Sequence, residues 1–277
     1  NKTKINEIFD KLFPLHRSIT GPGFKQSIKL IQKYIKLKIV NIPSGKKVFD
    51  WVVPHEWELQ DGYIKYNNKK ILDAKLNNLS VINFSDSINK TINLDELNKK
   101  IHTHPKLKEA IPYVTSYYSR DWGFCMKKTQ KEKLKKGKYK IFIKSSFKKG
   151  YLNYGETALK GKSKKIFLLS TFLCHPSMAN NELSGPLTMI GLYQNIKKWK
   201  NKNLTYKFLI NPETIGSICF LHKNKKSIKK IIHSGTVLTC LGGKYKNLSY
   251  SKSRFANSPL DRLITHFNKS KQFHIHN

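Results

Sequence analysis

An α/β fold, with a sheet covered on both faces by helices and a β-rich insert ahead of its main alternation, follows from three features of this 277-residue sequence. From residue 166 onward, short continuous apolar runs alternate with helical periodicity, the pattern of strands buried on both faces. Between residues 48 and 128 the texture is different: short aromatic and apolar runs separated by turn signals. Finally, two of the later apolar runs pass straight into polar clusters, and functional side chains of open α/β sheets gather just past the C-terminal ends of strands.

Residues 13–23 form a Pro- and Gly-punctuated segment. A helix follows, because Phe24, Ile28, Ile31 and Ile35 recur every three or four positions with lysines between them. In the insert, Asn67-Asn68 between two strand-like runs predicts a hairpin, and Asn93 caps a short helix over 94–100. Trp51, Trp57, Tyr117 and Trp122 are expected in the core of this β-rich unit. A Lys-rich connector over 131–140 leads to strands at 139–144 and 151–157 around a turn at Lys149-Gly150. The alternation proper then gives a strand at 166–171, a helix at 184–200, a strand at 207–211, a helix at 215–222 and a strand at 236–241. The texture divides the chain into 1–47, a β-rich domain at 48–128, and 129–277.

Hydrophobic residues make up 39% of the chain, enough for a globular core. No apolar run reaches the length of a membrane span, and the N-terminal segment has no signal-like apolar run. A cytoplasmic, non-membrane protein is expected. Cys125, Cys174, Cys219 and Cys240 contain no Cys-x-x-Cys pair and read as free thiols. The net charge of +36 invites a nucleic-acid reading. It comes almost wholly from lysine, however, with only four arginines, whereas base readout favours the arginine fork. Lysine, asparagine and isoleucine are all abundant and share AT-rich codons, so genome composition accounts for the charge and no nucleic-acid partner is expected.

The chemistry concentrates in residues 170–186, STFLCHPSMANNELSGP. A buried strand runs into His175, and a polar loop delivers Asn180, Asn181 and Glu182 before the next helix. After the following strand, Glu213 and Thr214 occupy the same kind of place. An imidazole and a carboxylate that hold zinc, with a second carboxylate to activate water, are what metal-assisted hydrolysis needs.

Five blocks, in order, carry a resemblance: LFPLHRSITG (12–21), VFDWVVPHEW (48–57), IPYVTSYYSRDWGFC (111–125), CHPSMANNELSGP (174–186) and PETIGSI (212–218). Together they resemble the aminopeptidase-like proteins of bacterial polysaccharide-biosynthesis clusters, a family of undefined function with an inserted β-rich domain. That family is distantly related to zinc aminopeptidases and glutamate carboxypeptidases. The resemblance implies a zinc-aminopeptidase-like mixed sheet into which the β-rich domain at 48–128 is inserted, and a peptide or amide substrate; two departures on the ligands of the co-catalytic metal pair leave one bound zinc as the expectation. It places His175 as a metal ligand and Glu213 as general base. Asn181 stands where the classical enzymes carry a bridging Asp, and Thr214 where they carry a second ligand Glu. Glu182 is then the carboxylate placed to serve a single metal. Further Asp and His ligands are expected beyond Asn277, so the chain reads as a fragment incomplete at both ends, with His274 and His276 at a broken end rather than in a metal tail. The competing expectation, favoured by Asn181 and Thr214, is a non-catalytic binding or assembly protein that keeps the fold. A homo-oligomer is compatible with either.

Overall fold

The computed structural model describes residues 2–243, 247–268 and 272–276. The chain opens with α1 (Lys2–Leu12), which buries Ile8 and Leu12 one turn apart, and α2 (Pro22–Gln32), which buries Phe24, Ile28 and Ile31. It continues through β1 (Lys38–Pro43), β2 (Glu56–Tyr66), β3 (Lys69–Asp73), β4 (Ile88–Asn93), α3 (Leu94–Asn98), β5 (Lys138–Lys148), β6 (Tyr151–Leu159) and β7 (Ile166–Phe172). A π-helical turn over Ala179–Leu183 leads into α4 (Ser184–Lys198). Then come β8 (Thr205–Asn211), α5 (Ile215–Asn224), β9 (Ile232–Leu238), β10 (Leu248–Ser251), α6 (Pro259–Phe267) and β11 (Phe273–His276).

The principal sheet has the order β1-β6-β8-β7-β9, antiparallel across its first three strands and parallel across β8-β7-β9. It is therefore mixed, and the parallel half is the part that positions the site. Phe172 pairs with Asn211 and Thr171 with Leu238, so all three parallel strands end at one rim. Helix α4 packs across β7, β8 and β9. Its close approach requires Gly185, since a Cβ there would lie 2.1 Å from Thr171 Oγ1 and 2.3 Å from the Leu238 carbonyl oxygen.

The second sheet, β3-β2-β5-β4, is antiparallel throughout. The Asn67-Asn68 turn closes β2 onto β3 with both residues at positive φ (47° and 61°), the geometry of a type I′ hairpin. Asn93 caps α3 by accepting the Glu96 N–H. This sheet takes β5 as its strand, so it extends past residue 128, where the change of sequence texture ends. The strands flanking Lys149-Gly150 do not form a hairpin: β5 pairs with β2 and β4, β6 pairs with β1 and β8, and the turn carries the chain from one sheet to the other.

Two apolar clusters result. The larger unites the helices, the principal sheet and Trp57, with Trp51 and Tyr117 packed against it. The smaller lies around Ile64, Phe124, Ile141 and Ile143, with Trp122 against it. The aromatic residues expected together in the insert's core thus divide, and Trp57 seals the seam with the N-terminal segment. Strand β9 starts and ends earlier than the sequence suggests. His274 and His276 alternate outward on β11, which pairs in parallel with β10. Among the described residues no helix is long and apolar enough to cross a membrane.

Candidate metal centre

His175 follows β7 by three residues, and its ring is bracketed by carboxylates. Nδ1 lies 3.0 Å from Glu182 Oε1 and 3.2 Å from Asn181 Oδ1, while Nε2 lies 3.3 Å from Glu213 Oε2. The π-helical turn brings Asn181 and Glu182 back against the strand end. Glu182 is wholly buried; its Oε2 accepts the Cys174 N–H at 2.5 Å, while Oε1 is buried with no hydrogen-bond partner of good geometry. An ionised carboxylate is rarely left with an orphaned, desolvated oxygen.

Burial pushes the His175 imidazole down, but the Glu182 carboxylate, with Asn181 and Glu213 behind it, outweighs burial and raises it on balance. Burial, with Glu182 next in weight, drives the Cys174 thiol far up. Its sulfur accepts the Glu213 N–H at 3.3 Å, which ties the β7 and β8 ends together. Thr214, immediately after Glu213, sits at φ 56°, an outlying conformation for a β-branched residue and one that concentrates at functional turns.

Among the described residues, one group of His, Cys, Asp and Glu side chains has ligand atoms close enough to share an ion: Cys174, His175 and Glu182, all within 4.8 Å of one another. Imidazole and carboxylate suit zinc, and Glu182 Oε1, buried beside His175 Nδ1, is the kind of atom a cation satisfies. The residues fit a metal. Asn181 is beside them, with its Nδ2 3.8 Å from Cys240 Sγ and its carbonyl accepting from Thr239 Oγ1. Glu213, 40% exposed at its side chain, faces the opposite edge of the imidazole.

Three contributors carry no role in the sequence reading. Cys174 stands next to His175 yet reads only as a core thiol, and it is buried and free, as are Cys125 and Cys219, whereas Cys240 is exposed. Tyr113, from the IPYVTSYY block, tilts its ring over His175 at 4.5 Å between centroids and hydrogen-bonds Tyr117 through its hydroxyl. Arg17 donates to the His175 carbonyl oxygen from 158 residues away. The blocks containing Tyr113 and Arg17 are conspicuous in sequence, but nothing in them says which side chain reaches the site.

A mixed sheet with a histidine and carboxylates at the ends of its parallel strands defines the class: an α/β protein of the zinc-aminopeptidase-like fold. The fold is shared, at 14% identity and a TM-score of 0.65, with a zinc aminopeptidase from Bacillus subtilis, over 97% of this chain and 78% of that one. A peptidase M28 precursor from Shewanella amazonensis shares it at 10% identity and a TM-score of 0.63, over 98% and 77% of the two chains. More particularly, residues 6–277 match the family described as a domain of unknown function, DUF4910, and the chain belongs to it. It is 40% identical, over 94% of its length, to a Clostridium acetobutylicum protein named for polysaccharide biosynthesis and an aminopeptidase-like domain. A crystal structure of a candidate peptidase from the same organism superposes with a TM-score of 0.91 at 37% identity, covering 99% of this chain and 65% of that one. The chain spans 60% of the length of the curated relative.

Proposed function

We propose that this protein is a zinc-dependent, aminopeptidase-like hydrolase that cleaves a peptide or amide bond. His175 and Glu182 would hold one zinc ion, assisted by Asn181, and Glu213 would act as general base. The observation that carries the reading is the bracketed imidazole: a carboxylate at each ring nitrogen, one of them wholly buried and the other partly exposed. When bound, zinc supplies Lewis-acid polarisation of a carbonyl and acidification of a water. The chain's own residues supply the rest. Glu182 fixes the imidazole from the buried side. Glu213, partly exposed, takes the proton from the attacking water and delivers it to the departing amine nitrogen. Tyr113 covers one face of His175 and keeps bulk water from it. We also take the second sheet, which supplies Tyr113 through its connecting segments, to be an inserted module that walls the site.

A second reading, a binding or assembly protein in polysaccharide biosynthesis without catalysis, is favoured by Asn181 and Thr214, since an amide is a poor metal bridge. Metal analysis of the purified full-length protein separates the two. The hydrolase reading expects about one zinc per chain and zinc-dependent release of amine from simple aminoacyl amides; a metal-free protein that binds saccharide or a partner protein would favour the other.

A further inference from the structure

Arg17 and Glu182 are both wholly buried charged side chains, and the zinc reading uses only Glu182. Arg17 comes from the segment between α1 and α2. Its Nε and Nη2 both donate to the His175 carbonyl oxygen, at 3.2 and 2.9 Å, and its Nη1 donates to the Leu12 carbonyl oxygen at 2.5 Å. All three bonds end on main-chain carbonyls. Glu182 grips the same stretch from the other side by accepting the Cys174 N–H. The dipeptide Cys174-His175 is thus held at its N–H by a buried carboxylate and at its C=O by a buried guanidinium. Burial pulls the guanidinium down to about 10, against which the nearby Glu182 and Cys174 pull it up, so it stays charged at neutral pH.

Burying an arginine is costly, and an apolar side chain of similar volume fills space at least as well. What an apolar residue cannot do is fix a carbonyl with two parallel N–H groups or balance a buried carboxylate. We infer that Arg17 is a positioning residue of the metal centre: its fork locks the His175 carbonyl, its charge offsets Glu182, and together these hold imidazole and carboxylate against each other in the unloaded site. The inference rests on the zinc reading for its purpose, but its geometry can be tested without metal. The Asn83 side chain extends the arrangement by donating from its Nδ2 to the Arg17 carbonyl oxygen at 3.0 Å, so the segment that delivers the guanidinium is itself pinned.

The test uses the full-length protein, first with chelator and then with zinc. Without metal, Arg17→Met, Arg17→Lys and Glu182→Gln are combined in double-mutant cycles on urea unfolding. Replacing Glu182 should perturb the unfolding constant at least about threefold less in the Arg17→Met background than in the wild type, a coupling typical of interacting buried groups. Arg17→Lys, which keeps the charge but not the fork, should restore most of that coupling. With zinc, titrated against a competing chromophoric chelator, both Arg17 variants should bind about 10–100-fold more weakly, the usual cost of losing an outer support of a metal ligand. Additive effects in the metal-free cycle would reduce Arg17 to a packing residue and overturn the inference. Unchanged zinc affinity in folded Arg17→Lys would overturn the positioning role. If the wild type takes up no zinc, the hydrolase reading fails, and the metal-free cycle alone decides Arg17. Should Arg17→Met not fold, Arg17→Gln takes its place in the cycle, and the same loss of coupling is the expected result.

Discussion

At His175 a single imidazole faces two carboxylates with different surroundings, and the proposed roles rest on that difference. Glu182 is sealed from water and turns one oxygen to the imidazole, which suits a ligand. Glu213 is partly open to solvent, which suits a group that must exchange protons. His175→Ala should therefore abolish stoichiometric zinc, and elemental analysis showing undiminished metal would defeat the assignment. Glu213→Gln should leave folding and zinc content intact while slowing hydrolysis of aminoacyl amides about 10²–10⁴-fold, the range expected for a positioned acid or base. Full activity in that variant would leave Glu213 as a hinge between β8 and α5. Asn181 touches the imidazole through its amide oxygen at 3.2 Å. As an uncharged acceptor it adds orientation rather than charge.

At the level of elements, the ends of β7 and β8 and the start of α4 are what the sequence discloses best. Their signals are local: continuous apolar runs at β7 and β8, and a small-residue turn ahead of Ser184-Gly185. What depends on distant partners is much less legible. Helix α1 is hidden by its lysines, which leave only Ile8 and Leu12 as buried markers. The pairing of β5 with β2 rather than β6 depends on register between residues some eighty positions apart. Arg17 and Tyr113 reach His175 only through tertiary folding. The seam between the two sheets shows the same dependence at Gly21, which begins α2 at φ 93° with its Cα against the Trp57 backbone; a Cβ there would meet the Trp57 carbonyl oxygen at 2.2 Å. Gly21→Ala combines a conformation that L-residues avoid with a clash against main chain. It should cost at least about 2 kcal/mol in urea unfolding. Trp57→Ala, emptying a side chain that is 2% exposed, should cost about 3–5 kcal/mol. A change below about 1 kcal/mol in either variant would mean that the seam opens readily and that the N-terminal segment does not anchor the second sheet.

For the molecule as a whole, that seam makes stability depend on pH through a residue outside the metal centre. His16 lies at the seam, with its ring 5.6 Å from Trp57 and its Nε2 buried without a hydrogen-bond partner. Burial lowers its pKa from 6.5 to about 4; the Asn78 backbone hydrogen bond pulls the other way, and the adjacent Arg17 charge adds a smaller push downward. In the unfolded chain His16 takes up its proton near pH 6.5, whereas in the folded protein it resists until about pH 4. Between those values the unfolded state binds more protons, so stability rises with pH across the window and is lost on acidification. A separation of this size corresponds to at most about 3 kcal/mol, and the partial exposure of the ring trims it to about 1–3 kcal/mol. His175 acts in a different range. Its raised pKa stabilises the metal-free protein below pH 6.5, and that contribution fades as pH rises through the folded value, so it adds no slope beneath 6.5. Carboxylates such as Asp73, held low by Lys70, lose their contribution only once pH falls toward their own range near 4 and below. The interval from 6.5 to about 4 therefore belongs to His16, with His102, whose pKa burial also lowers, acting in the same direction. Urea midpoints measured in chelator at pH 7, 5.5 and 4.5 should fall progressively in the wild type, and His16→Gln, which cannot be protonated, should flatten the decline. An equally steep decline in His16→Gln would mean that the seam tolerates an imidazolium and that acid acts on the molecule elsewhere.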